Sequence, residues 1–203
     1  MVSAAVPDQH ILVDIDTPAQ YQRAVGLWQR HGIPVPGEAR ILLDWVCGKN
    51  SGIAAHSRAV AGIAEKLADA VNAAAGKPLD TDLVVAGALL HDIAKGQSDH
   101  AAVGASQLRS WGFAEDLVSI LACHADWDPD DSTRVSEAAL VYLADKLVWG
   151  ARPVALDTRF QAQYERFAGD PESRQVVMQR WQQAKRVCRR VEQVIGRPID
   201  AFL

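Results

Sequence analysis

Cysteine is scarce in this chain. Cys47, Cys123 and Cys188 are three residues in 203, widely spaced and odd in number. That excludes a disulfide framework and a cysteine-rich zinc site, and fits buried thiols in a reducing compartment. Long apolar runs are absent too: no stretch of eighteen apolar residues offers a membrane-spanning helix. The start of the chain lacks the basic-then-apolar order of a secretory signal, so a cytoplasmic location with no membrane partner is expected. Positive charge is in deficit, 21 Lys and Arg against 25 Asp and Glu for a net charge of −4. That argues against stable nucleic-acid binding while leaving room for a local basic pocket. Repeats and low-complexity tracts are missing. What is there is an ordinary apolar fraction of 49%, in a chain long enough to bury one good core with a small appendage.

Residues 10–15, HILVDI, read as a short β-branched strand. In the following TPAQYQRAVGLWQRHG, Thr17 is an N-cap, Pro18 opens the helix and Gln20 closes a capping box. Tyr21, Ala24, Val25 and Trp28 make an apolar stripe, and Gly32 ends the helix. IPVPG at 33–37 is stiff and extended, a linker. From Glu38 the pattern predicts helices at 38–47, 52–75, 80–95, 98–111, 113–125, 134–149, 157–168 and 171–195, separated by breaks rich in Gly, Pro, Asp and Ser. No alternating strand pattern occurs after Ile15. The expectation is an all-α body at 36–203 behind a strand–helix extension at 1–35. The long amphipathic C-terminal helices, with Trp181, Val187, Val191 and Val194, pack internally or form a homodimer face.

Four of the six histidines fall in an ordered series with two aspartates: His56, His91–Asp92, His100, His124 and Asp145. His56 shares a helix face with Ile53 and Val60. His91 and Asp92 end LVVAGALLHDIAK, which is apolar on nearly all sides. His100 follows a break capped by Ser98 or Asp99, His124 lies beside Ile120 and Leu121, and Asp145 shares a face with Val141 and Val148. Singly, each has a bland reading as a satisfied core residue or an exposed helix end. Jointly they need a partner, because apolar faces rarely bury ionisable groups unpaired. Imidazoles with carboxylates suit Fe, Mn, Zn, Co or Ni better than Mg alone. The set exceeds one open catalytic site, and a two-metal centre bridged by Asp92 would use all of it.

The order His, His–Asp, His, His, Asp, with HSRAVAGIAEKLA around the first and LLHDIAKG around the doublet, resembles the HD-domain metal-dependent phosphohydrolases over about residues 38–195. The resemblance implies an HD-type helical bundle. It implies one metal on His56, His91, Asp92 and Asp145, and a second involving His100 and His124. It gives Lys95 a role on phosphate or bridging water beside a catalytic Asp92; the alternative for Lys95 is a helix C-cap. YLADKLVWGARPV is similar to the corresponding segment of bacterial dinucleoside tetraphosphate hydrolases, where an arginine follows, so Arg152 is the expected phosphate ligand. Lys146 and Arg159 are weaker candidates for that role and read more readily as solvated-face residues. The GYP tripeptide of the cyclic-dinucleotide branch is absent. HILVDIDTPAQYQRA resembles the closing strand and helix of nucleotidyltransferases that are sometimes fused to HD domains; Asp14 and Asp16 receive no catalytic role.

These resemblances imply hydrolysis of a phosphoester or phosphoanhydride in a nucleotide or small phosphorylated metabolite, by metal-activated water. Two other classes remain open: a di-iron oxygenase on the same fold, and a non-catalytic nucleotide-sensing module. Trp127 and Trp149 flank ligand positions, where they stack a base or simply pack.

Overall fold

The computed structural model describes residues 15–74, 76, 78–124 and 134–203. The expected strand at 10–15 lies outside the described residues except for Ile15, which has no regular structure. Trp127 lies outside them as well.

The described chain is an all-α bundle. Its helices are α1 (Pro18–Gln29), α2 (Pro36–Cys47), α3 (Gly52–Ala74), α4 (Thr81–Leu90), α5 (His100–Ser110), α6 (Glu115–Cys123) and α7 (Glu137–Lys146). A small hairpin follows, β1 (Val148–Trp149) and β2 (Arg152–Pro153), then α8 (Leu156–Arg166), α9 (Pro171–Ile195) and a 3-10 turn at Ile199–Phe202.

Helix α4 forms the centre because every residue from Leu83 to Leu90 is apolar or glycine, and all are buried. Asp80 starts it by accepting the Leu83 N–H at 3.1 Å, a cap worth about 1 kcal/mol. Gly87 lets α6 approach closely: a Cβ there would stand 2.8 Å from Ile120 Cγ2. Around α4 pack α2, α3, α6 and α7. Helix α3 turns Val60, Ile63, Leu67 and Val71 inward, at spacings of three and four. In α7, Ala139 to Lys146 are all buried. Helix α9 closes the bundle with Val177, Ala184, Val187 and Val191. Each fully buried Leu, such as Leu89, Leu140 or Leu143, contributes about 1.5–3 kcal/mol of transfer free energy.

Helix α1 starts as expected, with the Gln20 N–H on Thr17 Oγ1 at 3.3 Å and the Gln20 amide oxygen on the Asp16 N–H at 3.0 Å. Its apolar stripe is not buried by the described residues; Tyr21 and Trp28 are 56% and 74% exposed. The segment attaches through Arg30, which pairs with Asp80 and Asp82 at 3.0 and 3.2 Å. Gly32 C=O accepts the Ala114 N–H at 2.9 Å.

Two boundaries differ from the sequence expectation, and both bear on function. Helix α4 stops at Leu90 instead of running to residue 95, and His91–Ala94 form tight turns. There Ile93 N–H bonds Leu90 C=O and Lys95 N–H bonds Asp92 C=O, at 3.0 and 2.9 Å, so three-residue steps replace the α-helical ladder. The predicted helix 134–149 gives way after Lys146 to the hairpin, with Val148 opposite Pro153 and Trp149 opposite Arg152. Strands of two residues leave no alternation to read. Gly150, at φ 61°, makes the turn.

No helix among the described residues is long and apolar enough to cross a membrane.

Candidate metal centre

The six residues of the histidine–aspartate series come from five places in the chain and meet at one end of the bundle. His56 projects from the second turn of α3. His91 and Asp92 come from the tight turn that follows α4, with His91 still at helical dihedrals (φ −53°, ψ −35°). His100 is the first residue of α5, His124 stands just past α6, and Asp145 lies in the last turn of α7. Asp99, before His100, has a left-handed backbone (φ 51°, ψ 49°) and makes no side-chain cap. Such a conformation costs about 1–2 kcal/mol in a non-glycine residue. Here it turns the chain so that His100 leans back over Asp92.

Asp92 is the hub. Its Oδ2 lies 3.4 Å from His91 Nε2 and 3.7 Å from His56 Nε2, and its Oδ1 lies 3.2 Å from His100 Nε2 and 3.6 Å from His124 Nε2. Asp145 Oδ1 approaches His56 Nε2 to 3.1 Å and His91 Nε2 to 3.8 Å. Two groups result, His56–His91–Asp92 and Asp92–His100–His124, each with its ligand atoms within 4.8 Å of one another. Asp145 flanks the first.

The donor chemistry fits cations. His56, His91 and His124 each place Nδ1 on a backbone carbonyl, of Gly150, Ala88 and Leu121, at 2.7, 2.8 and 2.6 Å. A carbonyl only accepts, so Nδ1 carries the hydrogen in all three. A neutral ring then aims the Nε2 lone pair at carboxylate oxygens, which is repulsive unless a cation sits between them. His91 Nε2 is buried and has no hydrogen-bond partner. Ligands about 2.1 Å from one ion stand roughly 3.0–3.4 Å apart, and the spacings found here are close to that.

Electrostatics say the same. Burial alone would raise Asp92, but the imidazoles of His124 and His91 and the Lys95 ammonium outweigh it and hold the carboxyl far below the usual range. Asp145 would also be raised by burial; the Lys146 charge and His56 hold it well down. Burial would lower His91, yet the pull of Asp92 and then Asp145 raises it, so without a metal this cluster draws a proton into itself. His100 is pushed down, chiefly by burial.

Lys95, half-exposed, puts Nζ 2.6 Å from Asp92 Oδ2. Arg152 is exposed on β2 and not gathered into the cluster. Lys146 and Arg159 correct the sequence reading, which put both on a solvated face. Lys146 is buried with Nζ 2.7 Å from Asp145 Oδ2. Arg159, with 16% side-chain exposure, lies 3.8 Å from Asp145 Oδ1 and donates to the carbonyls of Asp145 and Val148. The available signals were the apolar residues on both sides of Lys146, and the position of Arg159 between inward-facing Leu156 and Phe160.

A cleft of about 280 Å³ opens beside the cluster, walled by His56, Asp92, Lys95, Trp149, Arg159 and Gln163 among others. A larger one, about 460 Å³, lies between α8 and α9, where Lys185 pairs with Asp157 at 2.9 Å.

Residues 53–150 match the family model of the HD domain. Over 127 residues the chain is 28% identical to the dihydroneopterin 2′,3′-cyclic phosphate phosphodiesterase of Methanocaldococcus jannaschii, covering 54% of this chain and 51% of that protein. The chain thus spans about half the length of that relative. An uncharacterised protein of the same organism is 32% identical over 136 residues, covering 59% of this chain and 79% of the relative. No solved structure matches the chain significantly.

Proposed function

We propose that the chain, whose residues 53–150 match the HD-domain model, is a metal-dependent phosphohydrolase of that family. It would cleave a phosphoester or phosphoanhydride of a nucleotide or small phosphorylated metabolite. The observation that carries this reading is Asp92, shared between two ligand groups in which His56, His91 and His124 are fixed with their Nε2 lone pairs inward. The relative that acts on a cyclic phosphate supports a phosphorus-centred reaction.

His56, His91, Asp92 and Asp145 would hold one divalent ion, and Asp92, His100 and His124 a second. Such ions neutralise phosphoryl oxygens and lower the pKa of water. Fe, Mn, Zn, Co or Ni suits this donor set better than Mg alone. Lys95 reaches the cleft from Asp92 and would bind a phosphoryl oxygen, stabilising charge that develops during cleavage. Arg152 would contact a more distal phosphate from the hairpin. Lys146 and Arg159 hold Asp145 in place and keep it ionised. Residues 36–203 would form the HD unit and 1–35 an extension that resembles the tail of a nucleotidyltransferase. Three unpaired cysteines support a cytoplasmic setting.

The test is phosphate release from a panel of nucleotides and sugar phosphates with Mn, Fe, Co, Ni and Mg in turn. Release should be metal-dependent and should vanish in the His91→Ala/Asp92→Ala double variant. Turnover surviving that pair would sink the proposal. Oxygen consumption in place of phosphate release would favour a di-iron oxygenase.

A further inference from the structure

The β1–β2 hairpin stands at the rim of the metal cluster and is tied to it. Gly150 C=O accepts from His56 Nδ1 at 2.7 Å, Val148 C=O accepts from Arg159, and the Val154 N–H bonds Leu147 C=O at 2.8 Å. An isolated hairpin of two-residue strands has little stability of its own, so these ties fix its position. One of them runs directly to a candidate metal ligand.

The result is a tryptophan held in a defined place. Trp149 is 52% exposed, yet it walls the same cleft as His56, Asp92 and Lys95. Half-exposed apolar residues are common on any surface, but this one lines the cleft from a hairpin whose next residue, Gly150, is hydrogen-bonded to a candidate metal ligand. Gln163 lies one turn beyond Arg159 on the same face of α8 and also lines the cleft. Its amide both donates and accepts hydrogen bonds. Arg152, opposite Trp149 in the ladder, shares the indole's face of the hairpin. The cleft, about 280 Å³, is near the low end of small-molecule sites, roughly 300–1,000 Å³. That is room for one ring system and its phosphoryl group.

We infer that Trp149 and Gln163 form a recognition site for a planar nitrogen heterocycle carried by the phosphorylated substrate. Trp149 stacks on the ring face and Gln163 hydrogen-bonds to the ring edge. The inference rests on the phosphohydrolase reading, since the metal cluster holds the phosphoryl end. An indole accepts any flat ring, whereas an amide rewards ring heteroatoms, so a bare sugar phosphate should bind less well than one bearing a base.

The test uses the slowly hydrolysed phosphorothioates adenosine 5′-phosphorothioate and ribose 5-phosphorothioate, titrated calorimetrically into the manganese-loaded protein. The two differ only in the base. The adenosine compound should bind the wild type about tenfold tighter. Trp149→Ala should remove that advantage and leave the ribose compound unchanged, Trp149→Phe should keep most of it, and Gln163→Leu should narrow it. Metal content equal to wild type in each variant shows an intact fold and cluster. Equal affinity of the two ligands for the wild type, or a base preference that survives Trp149→Ala, overturns this inference and leaves the hydrolase reading standing. Failure of both phosphorothioates to bind the loaded protein overturns both.

Discussion

The two halves of the metal cluster share Asp92 and are built differently. In the inner half, His56 and Asp145 are set in the core helices α3 and α7, and His91 in the turn that ends α4. Two of its imidazoles are braced by backbone carbonyls, and its carboxylate is braced by Lys146 and Arg159. His91 has no side-chain exposure. The outer half depends on His100, with 29% side-chain exposure, carried by a helix that starts from left-handed Asp99. Its partner His124 is buried and braced by the Leu121 carbonyl, so His100 is the ligand of this half without such a brace. Ligands fixed before the metal arrives bind it tightly, and ligands that must be ordered bind it less so. The inner ion should therefore be the tenacious one, and the outer ion exchangeable.

The largest effect should come from destroying what the halves share. Asp92→Ala should empty both sites and reduce phosphate release about 10³-fold or more, measured at saturating metal. The sharper comparison sets His91→Ala against His100→Ala. The first should weaken inner-ion affinity by more than about 100-fold; the second should leave one tightly held ion per chain, read by metal titration against a competing chelator. If His100→Ala strips both ions, the inner half is not the stronger.

Arg159→Met tests the brace. It removes two carbonyl contacts and the approach to Asp145 Oδ1 while leaving every ligand residue in place, and should weaken metal binding by about 10- to 100-fold. A smaller loss would mean that Lys146 alone suffices to hold Asp145.

The smallest effect concerns pH in the metal-free protein. The folded pKa of His91 is raised by Asp92 and Asp145. Its contribution to stability is therefore full below the unfolded value, about 6.5, and is lost as pH rises through the folded value. His100, pushed down by burial, works in the opposite direction, so the informative quantity is wild type minus His91→Gln. In chelator, the excess melting temperature of wild type should be largest below about pH 6.5 and should shrink in alkali. With metal the trend should reverse, because protons then compete with the ion. An excess that does not change with pH in chelator would show that His91 does not take up the proton.

Much of this site was legible in the chain. The helix faces carrying His56 and Asp145 follow from apolar spacing, and the break before His100 follows from Ser98 and Asp99. The end of α4 did not, because HDIAK continues the apolar pattern while the backbone tightens into three-residue steps. Lys146 and Arg159 were misplaced for a different reason. Charge predicts exposure in general, and what buries these two is a carboxylate and a hairpin carbonyl supplied by the fold. The hairpin itself was too short for any period to reveal, so Trp149 could be read only as flanking a ligand position, with stacking and packing both open. Spacing can find ligands on regular elements; it cannot find partners that exist only once the elements have packed.

The most direct test of the shared-carboxylate centre is elemental analysis of protein purified without chelator, wild type beside Asp92→Ala. The account predicts about two divalent transition-metal ions per wild-type chain and none retained by the variant. A wild-type chain that carries no ion, and whose phosphate release persists in excess chelator, would contradict it.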